Sequence, residues 1–234
     1  MSNRPSCKCF QAYDLGKKWS EIKLHQEQQD IECDAWKRLL ELVEVASADE
    51  REEFAPGREI GWDDWSQIIT LPPTISKLKS VKHLMLYGSN LVRIPPEIGE
   101  MTNLETFTPY TSYRLHWFPY EITRCKKLKN STVSTRTLYG NYKFRPPFPK
   151  LPVEKTLEAD SPTKCSVCNA SIIAPNLHQV WISLPVATDV LPLLVNACSQ
   201  ICIDRLPRPP KTYVQEAHTG GLHIQQSPID DFYQ

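Results

Sequence analysis

The sequence predicts an α+β protein in three parts: a short solenoid of about three stacked units, an N-terminal helical cap, and a small C-terminal domain built on cysteines. Three observations predict it. An apolar stripe at helical spacing runs from Ile31 to Ala46. A proline-containing pentapeptide recurs at offsets of 23 and 24 residues, and two cysteine pairs fall in the last third of the chain. The expected boundaries are 1–68 for the cap, 69–150 for the units and 151–234 for the cysteine-bearing part and its tail.

In the cap, Ile31, Ala35, Leu39, Leu42, Val43 and Ala46 form the stripe, with Glu and Lys on the opposite face. Ser47 and Glu50 have the spacing of a capping box, so a second short helix is expected to run to Phe54 and to end at Pro56-Gly57. Trp62 and Trp65 are three apart and share one side of a helical turn. No catalytic constellation falls here.

Composition bounds the function. The 234 residues carry 27 basic and 27 acidic side chains, and zero net charge argues against a bulk electrostatic nucleic-acid binder. Apolar residues are 41% and charged residues 23%, as in ordinary globular proteins. No apolar run is long enough to span a membrane. Met1 to Lys18 is polar and lacks the apolar core of a signal peptide, so a cytoplasmic protein is expected. In a reducing compartment the eight cysteines read as metal ligands or buried thiols rather than disulfides.

The middle third explains why Pro stands at 20 against Gly at 8. Leu71-Pro72-Pro73-Thr74-Ile75 is followed by Ile94-Pro95-Pro96-Glu97-Ile98 and by Phe118-Pro119-Tyr120-Glu121-Ile122. Each is trailed by the same apolar spacing, at Leu78 and Val81, Met101 and Leu104, Cys125 and Leu128. The first unit continues as Leu84-Met85-Leu86 and closes on Leu91. This pattern resembles the leucine-rich repeat family in its 23-residue intracellular form, over residues 69–150. The resemblance implies one short strand, a turn and a return segment per unit, with units stacked because none buries its apolar side alone. Side chains alternate along a strand, so Leu84 and Leu86 point inward and their neighbours outward. The outward positions in register are His83, Met85 and Tyr87, then Thr106, Thr108 and Tyr110, then Asn130, Thr132 and Ser134. Tyr113 and Arg114 lie beside them in an aromatic run from Tyr110 to Tyr120, in which Trp117 and Phe118 read as core. Exposed Tyr and Arg are hot-spot types, so this set, on the concave face that the resemblance implies, is the candidate surface for another protein. Departures from the family pattern are Ser89, Ser112 and Arg136 at the place of an Asn that bonds the neighbouring backbone, and Pro109 at a core position. Irregular turns are expected there.

Cys165-Ser166-Val167-Cys168 and Cys198-Ser199-Gln200-Ile201-Cys202 supply two pairs of thiolates. A C-x-x-C pair suits a tight turn, and a C-x-x-x-C pair shares one face of a helical turn, so the four can close a tetrahedral zinc site. Four thiolates leave no open position, so the zinc is expected to be structural. Turn plus helix start resembles a treble-clef zinc finger. Cys7 and Cys9 offer a second site with His25 or Cys33, or with His218 and His223, at spacings that are not diagnostic. Cys125 reads as core, His178 as surface and residues 220–234 as a flexible tail.

The expected function is a non-enzymatic protein-interaction module with a structural zinc. Two alternatives stand beside it. One is an enzyme of ubiquitin-ligase-like effector type, although a RING needs eight ligands and a thiol nucleophile has only Cys33 with His25 to draw on. The other is nucleic-acid binding through the finger, with Lys164, Arg205, Arg208 and Lys211 as a thin basic patch.

Overall fold

The computed structural model describes residues 21–141, 144–152, 163–173 and 176–226. Helix α1 spans Asp34–Ala48 and buries Ala35, Trp36, Leu39, Val43 and Ala46, which return every three or four residues on one face. Ile31 lies ahead of the helix and is 60% exposed, so the stripe begins at Ala35. The second helix expected from Ser47 does not form. α1 runs through Ser47, whose hydroxyl donates to the Lys77 carbonyl, and Glu50 takes a positive φ of 53° that reverses the chain. Glu53–Phe54 is then strand β1. Pro56 opens helix α2 (Pro56–Glu59) rather than ending one, because the first helical turn has no use for the N–H that Pro lacks. Helix α3 is Trp62–Trp65.

Strands β1, β2 (His83–Met85), β3 (Thr106–Thr108) and β5 (Asn130–Ser131) form a parallel sheet in that order. Its register pairs His83 with Thr106 and Thr106 with Asn130. Each LPxxI-like pentapeptide enters a 3₁₀ turn, at Pro73–Lys77, Pro96–Glu100 and Tyr120–Arg124. The turns stack closely: a Cβ at Gly99 would stand 2.6 Å from the Glu121 carbonyl oxygen. Ile75, Ile98, Ile122, Leu84 and Phe107 all point into one core.

A second sheet has the order β4 (Phe118–Pro119), β7 (Asp189–Ala197), β6 (His178–Val186). β4 is parallel to β7, and β6 and β7 form an antiparallel hairpin. Both faces of the hairpin are covered. Val180, Ile182, Leu184, Leu191, Leu193 and Val195 join the main core, and Trp181 and Leu194 join a second cluster with Ile22, Tyr139, Phe148 and Leu151. That is why these strands read as continuous apolar runs rather than alternating ones.

This topology corrects the expected fold class. The chain is a mixed α/β fold with two small sheets, one parallel and one mixed, and four helices among the described residues. It is not an α+β solenoid flanked by a cap and a separate zinc-binding domain. The segment Phe118–Pro119, which opens the third pentapeptide, pairs with Leu193–Leu194 in the second sheet, unlike its equivalents Leu71-Pro72 and Ile94-Pro95, which are in no strand. The core then runs without a break from Ala35 to Cys202. The physical reason is burial: strands of two or three residues cannot cover the apolar face of a hairpin with two nine-residue strands unless the two sheets share a core.

The second turn is irregular, with Thr111 at a φ of 59°; in the first, Asn90 donates to the Ser66 carbonyl at 2.7 Å, and serines link the units. The Ser89 hydroxyl donates to Ser112 Oγ at 2.7 Å, the Ser89 N–H donates to the same oxygen at 3.2 Å, and the Ser112 hydroxyl donates to the Leu86 carbonyl at 3.0 Å. One unit further, Ser134 Oγ accepts the Thr111 N–H at 2.7 Å. All three serines are buried, so their hydroxyls need these partners.

The end of the described chain crosses the hairpin edge. Trp181 N–H donates to the His218 carbonyl at 2.7 Å, and His218 N–H donates back to the Trp181 carbonyl at 3.1 Å. Gly220 has φ +77°, and a Cβ there would meet the Pro149 oxygen at 2.0 Å, so only Gly passes. The His218 ring stacks edge-on against Phe148 at 4.6 Å, and its Nδ1 accepts the Gly220 N–H at 3.1 Å. Burial, helped by the charge of His223, holds its pKa down to about 4.

Two outcomes are expected. Ser112→Ala strands the buried hydroxyl and N–H of Ser89 and should cost about 1–3 kcal/mol, read as a lower urea midpoint at unchanged slope. For His218 the folded pKa lies below the unfolded value of 6.5, so its contribution is complete above pH 6.5 and is lost as the pH falls towards 4. The loss should reach at most about 3 kcal/mol. Urea unfolding across that window should show a shallower decline for His218→Gln than for the natural chain.

Candidate functional site

The four cysteines of the C-terminal third converge. The Sγ atoms of Cys165, Cys168, Cys198 and Cys202 all lie within 4.8 Å of one another, and the thiols are free of disulfide bonds. Cys168 Sγ stands 3.6 Å from Cys198 Sγ, and Cys198 Sγ stands 3.7 Å from Cys202 Sγ.

Local chemistry builds each half. The first pair sits on a tight turn. Cys165 N–H donates to the Ala170 carbonyl at 2.8 Å, and Asn169, in the left-handed region at φ 62°, donates its N–H to the Cys165 carbonyl at 3.0 Å. The Cys168 N–H points back at Cys165 Sγ at 3.5 Å. The second pair straddles the end of β7 and the start of helix α4 (Gln200–Asp204). Ser199 caps that helix, its oxygen accepting the Cys202 N–H, which turns Cys202 back towards Cys198.

Ser166 joins the two halves. Its N–H donates to the Asn196 carbonyl at 2.7 Å, and its Oγ accepts the Asn196 N–H at 2.9 Å. The third 3₁₀ turn braces the same residue. Arg124 Nη2 donates to the Ser166 carbonyl at 2.8 Å, and Glu121 is buried in the same turn, its Oε2 without a hydrogen-bond partner. Burial pushes the Glu121 pKa up. Burial also acts to raise the Cys165 thiol, but the N–H groups of Cys168, Cys198 and Val167 outweigh it and bring the pKa to about 6. Cys165 and Cys202 are buried, Cys198 is half-buried and Cys168 is exposed. The cluster can hold a metal ion, with all four donors soft sulfur.

The candidate partner residues are dispersed in character. Tyr87 is 50% exposed, Tyr110 46% and Tyr113 41%; Thr132 is also exposed. His83, Met85, Thr106 and Thr108 are half-buried on the outer face of the parallel sheet. Ser134 departs from the expectation: it is buried, because its hydroxyl is needed by Thr111. Arg114 is half-buried and ion-paired with Glu27, which also bonds His25 Nδ1 at 3.0 Å. Trp62 was missed as a surface residue. It is 50% exposed, its ring 6.3 Å from Tyr87, and Tyr87 is 6.0 Å from Tyr110. The i,i+3 spacing of Trp62 and Trp65 pairs them on one side in sequence, but only Trp65 turns into the core.

Other candidates are placed as follows. Cys125 is buried at its repeat position, with its thiol donating to the Ile98 carbonyl at 3.2 Å and its pKa pushed by burial to about 12. The Cys33 thiol donates to the Asp30 carbonyl at 3.1 Å, while His25 faces Glu27 and stacks on His116. Trp117 is half-buried against Trp181, and Phe118 is core. Cys7 and Cys9, and with them the proposed second metal site, lie outside the described residues. Among the described residues no helix is long and apolar enough to cross a membrane.

Compared with known proteins, the chain matches no family model and no curated protein.

Elemental analysis of the purified protein should find about one bound metal ion per chain. Cys202→Ser should lose it and should also lose the near-ultraviolet signal of the buried Trp181, because the end of β7 is held by the same centre. Metal-free protein with an intact core would sink the assignment.

Proposed function

We propose that this chain is a non-enzymatic protein-interaction module, that a partner protein docks on the outer face of the parallel sheet, and that the four thiolates hold a structural zinc. The observation that carries the reading is the row of exposed rings, Trp62, Tyr87 and Tyr110, at successive separations of 6.3 and 6.0 Å. Large amphipathic rings lose little conformational entropy on binding and dominate interface energetics. The half-buried His83, Met85, Thr106 and Thr108 continue the surface beside the row with almost no charge to desolvate.

Zinc is favoured by the donor set and its spacing. A tetrahedron of Zn–S bonds of about 2.3 Å has sulfur–sulfur edges of about 3.8 Å. The observed 3.6 and 3.7 Å are close to that value. Four thiolates saturate the ion, so its role is to hold the turn at Cys165 to helix α4.

The test is the double variant Tyr87→Ala, Tyr110→Ala. It should reduce partner capture at least tenfold while leaving the melting temperature within a few degrees. Undiminished capture, or a large loss of stability showing that the rings are packed, would overturn the binding-face reading.

A further inference from the structure

We infer that a second surface, the groove between the third 3₁₀ turn, the tip of the β6–β7 hairpin and the segment after α4, docks a peptide segment of a partner protein in which apolar side chains are flanked by carboxylates. This surface is separate from the row of rings and does not depend on it.

The groove has a volume of about 390 Å³. Half-buried Leu128 lies at its base, where the core residues Ile122, Leu184 and Val186 also reach the lining. Lys126 and Arg208 stand on its rim, both exposed. Lys127, next to Lys126, bonds Asn103, while several lysines of the units are held by carboxylates. Lys77 pairs with Glu44, Lys79 with Glu100, Lys82 with Glu52 and Lys129 with Glu105. Among the described residues, Lys126 and Arg208 have no such carboxylate, and no acidic side chain lines the groove. Glu121, in the same turn, is buried and does not line the groove.

An apolar floor under two uncompensated cations selects a ligand with apolar side chains and negative charge. The backbone says how it is not held. Trp181 uses its outward N–H and C=O on His218, and by strand alternation Ser183 and Pro185 face the same edge. Pro185 has no N–H, so the edge cannot recruit an added strand past that point. Recognition therefore rests on side chains. The floor is aliphatic, with Tyr120 half-buried at its margin, and offers no stacking platform for bases, which favours a peptide over a nucleic acid.

The test uses the full chain and fluorescence anisotropy. The probe is a fluorescein-labelled synthetic 12-residue peptide of repeated Asp-Leu-Phe-Asp units. Controls are the same peptide with Asn for Asp and a labelled 12-nucleotide oligothymidylate. Saturable binding is expected, weakened at least tenfold by the Asn peptide and at least tenfold by Lys126→Glu with Arg208→Glu. It should be unchanged in the Tyr87→Ala, Tyr110→Ala variant. Should the charge reversal lower the melting temperature, Lys126→Gln with Arg208→Gln should still weaken binding severalfold. Absence of saturable binding, equal binding of the Asn peptide, or insensitivity to both rim variants overturns the proposal. Tighter binding of the oligothymidylate does so too, by making the rim a phosphate site. Loss of binding only in the tyrosine variant overturns it while leaving the proposed interaction face intact.

Discussion

The pairing of Phe118 with Leu193 and Pro119 with Leu194 joins the two sheets, and most of the architecture depends on it. The parallel sheet is made of strands of two and three residues, too short to hold a core alone. The β6–β7 hairpin is long and apolar on both faces, and it would aggregate if left uncovered. Two residues of β4, drawn from inside the third unit, attach each sheet to the other. The 3₁₀ turn that follows β4 then lies against the cysteine turn, and a single core forms across what reads in sequence as three parts.

That junction also explains the arrangement around the cysteines. Ser166 is bonded on one side to Asn196, at the end of β7, and on the other to Arg124. A metal ion bound at the four sulfurs would therefore clamp the hairpin to the third unit. The row of rings lies elsewhere, on the outer face of the parallel sheet. Its spacing follows the sheet, with one large side chain contributed by each of two units and the third, Trp62, by helix α3.

Some of this was legible in the chain. The 23- and 24-residue offsets became the strand register, since His83 opposes Thr106 and Thr106 opposes Asn130. The buried face of α1 and the convergence of the four cysteines followed from local spacing, which needs only helix and turn geometry. The missed features have non-local causes. Ser47 and Glu50 have the spacing of a cap, but the Ser47 hydroxyl is used by the Lys77 carbonyl and α1 continues to Ala48. Ser134 sat at an outward position by alternation, yet the neighbouring unit needed its hydroxyl. Trp62 and Trp65 are indistinguishable by helical spacing, and only the position of the core separates them.

By itself the sequence determined the periodic elements: the apolar stripe of α1, the prolines that set each 3₁₀ turn, the inward Leu84 and Leu86, and the two cysteine pairs. These are set by bond geometry within a few residues, which the order of side chains specifies directly. Tertiary structure decided the rest. It sent β4 into the second sheet, made one core of three sequence segments, put Trp62 in solvent beside Tyr87, and left Lys126 and Arg208 without carboxylates over an apolar groove. Each of those outcomes depends on which apolar surfaces meet and which charges find partners, and burial is a property of the assembled chain rather than of any segment.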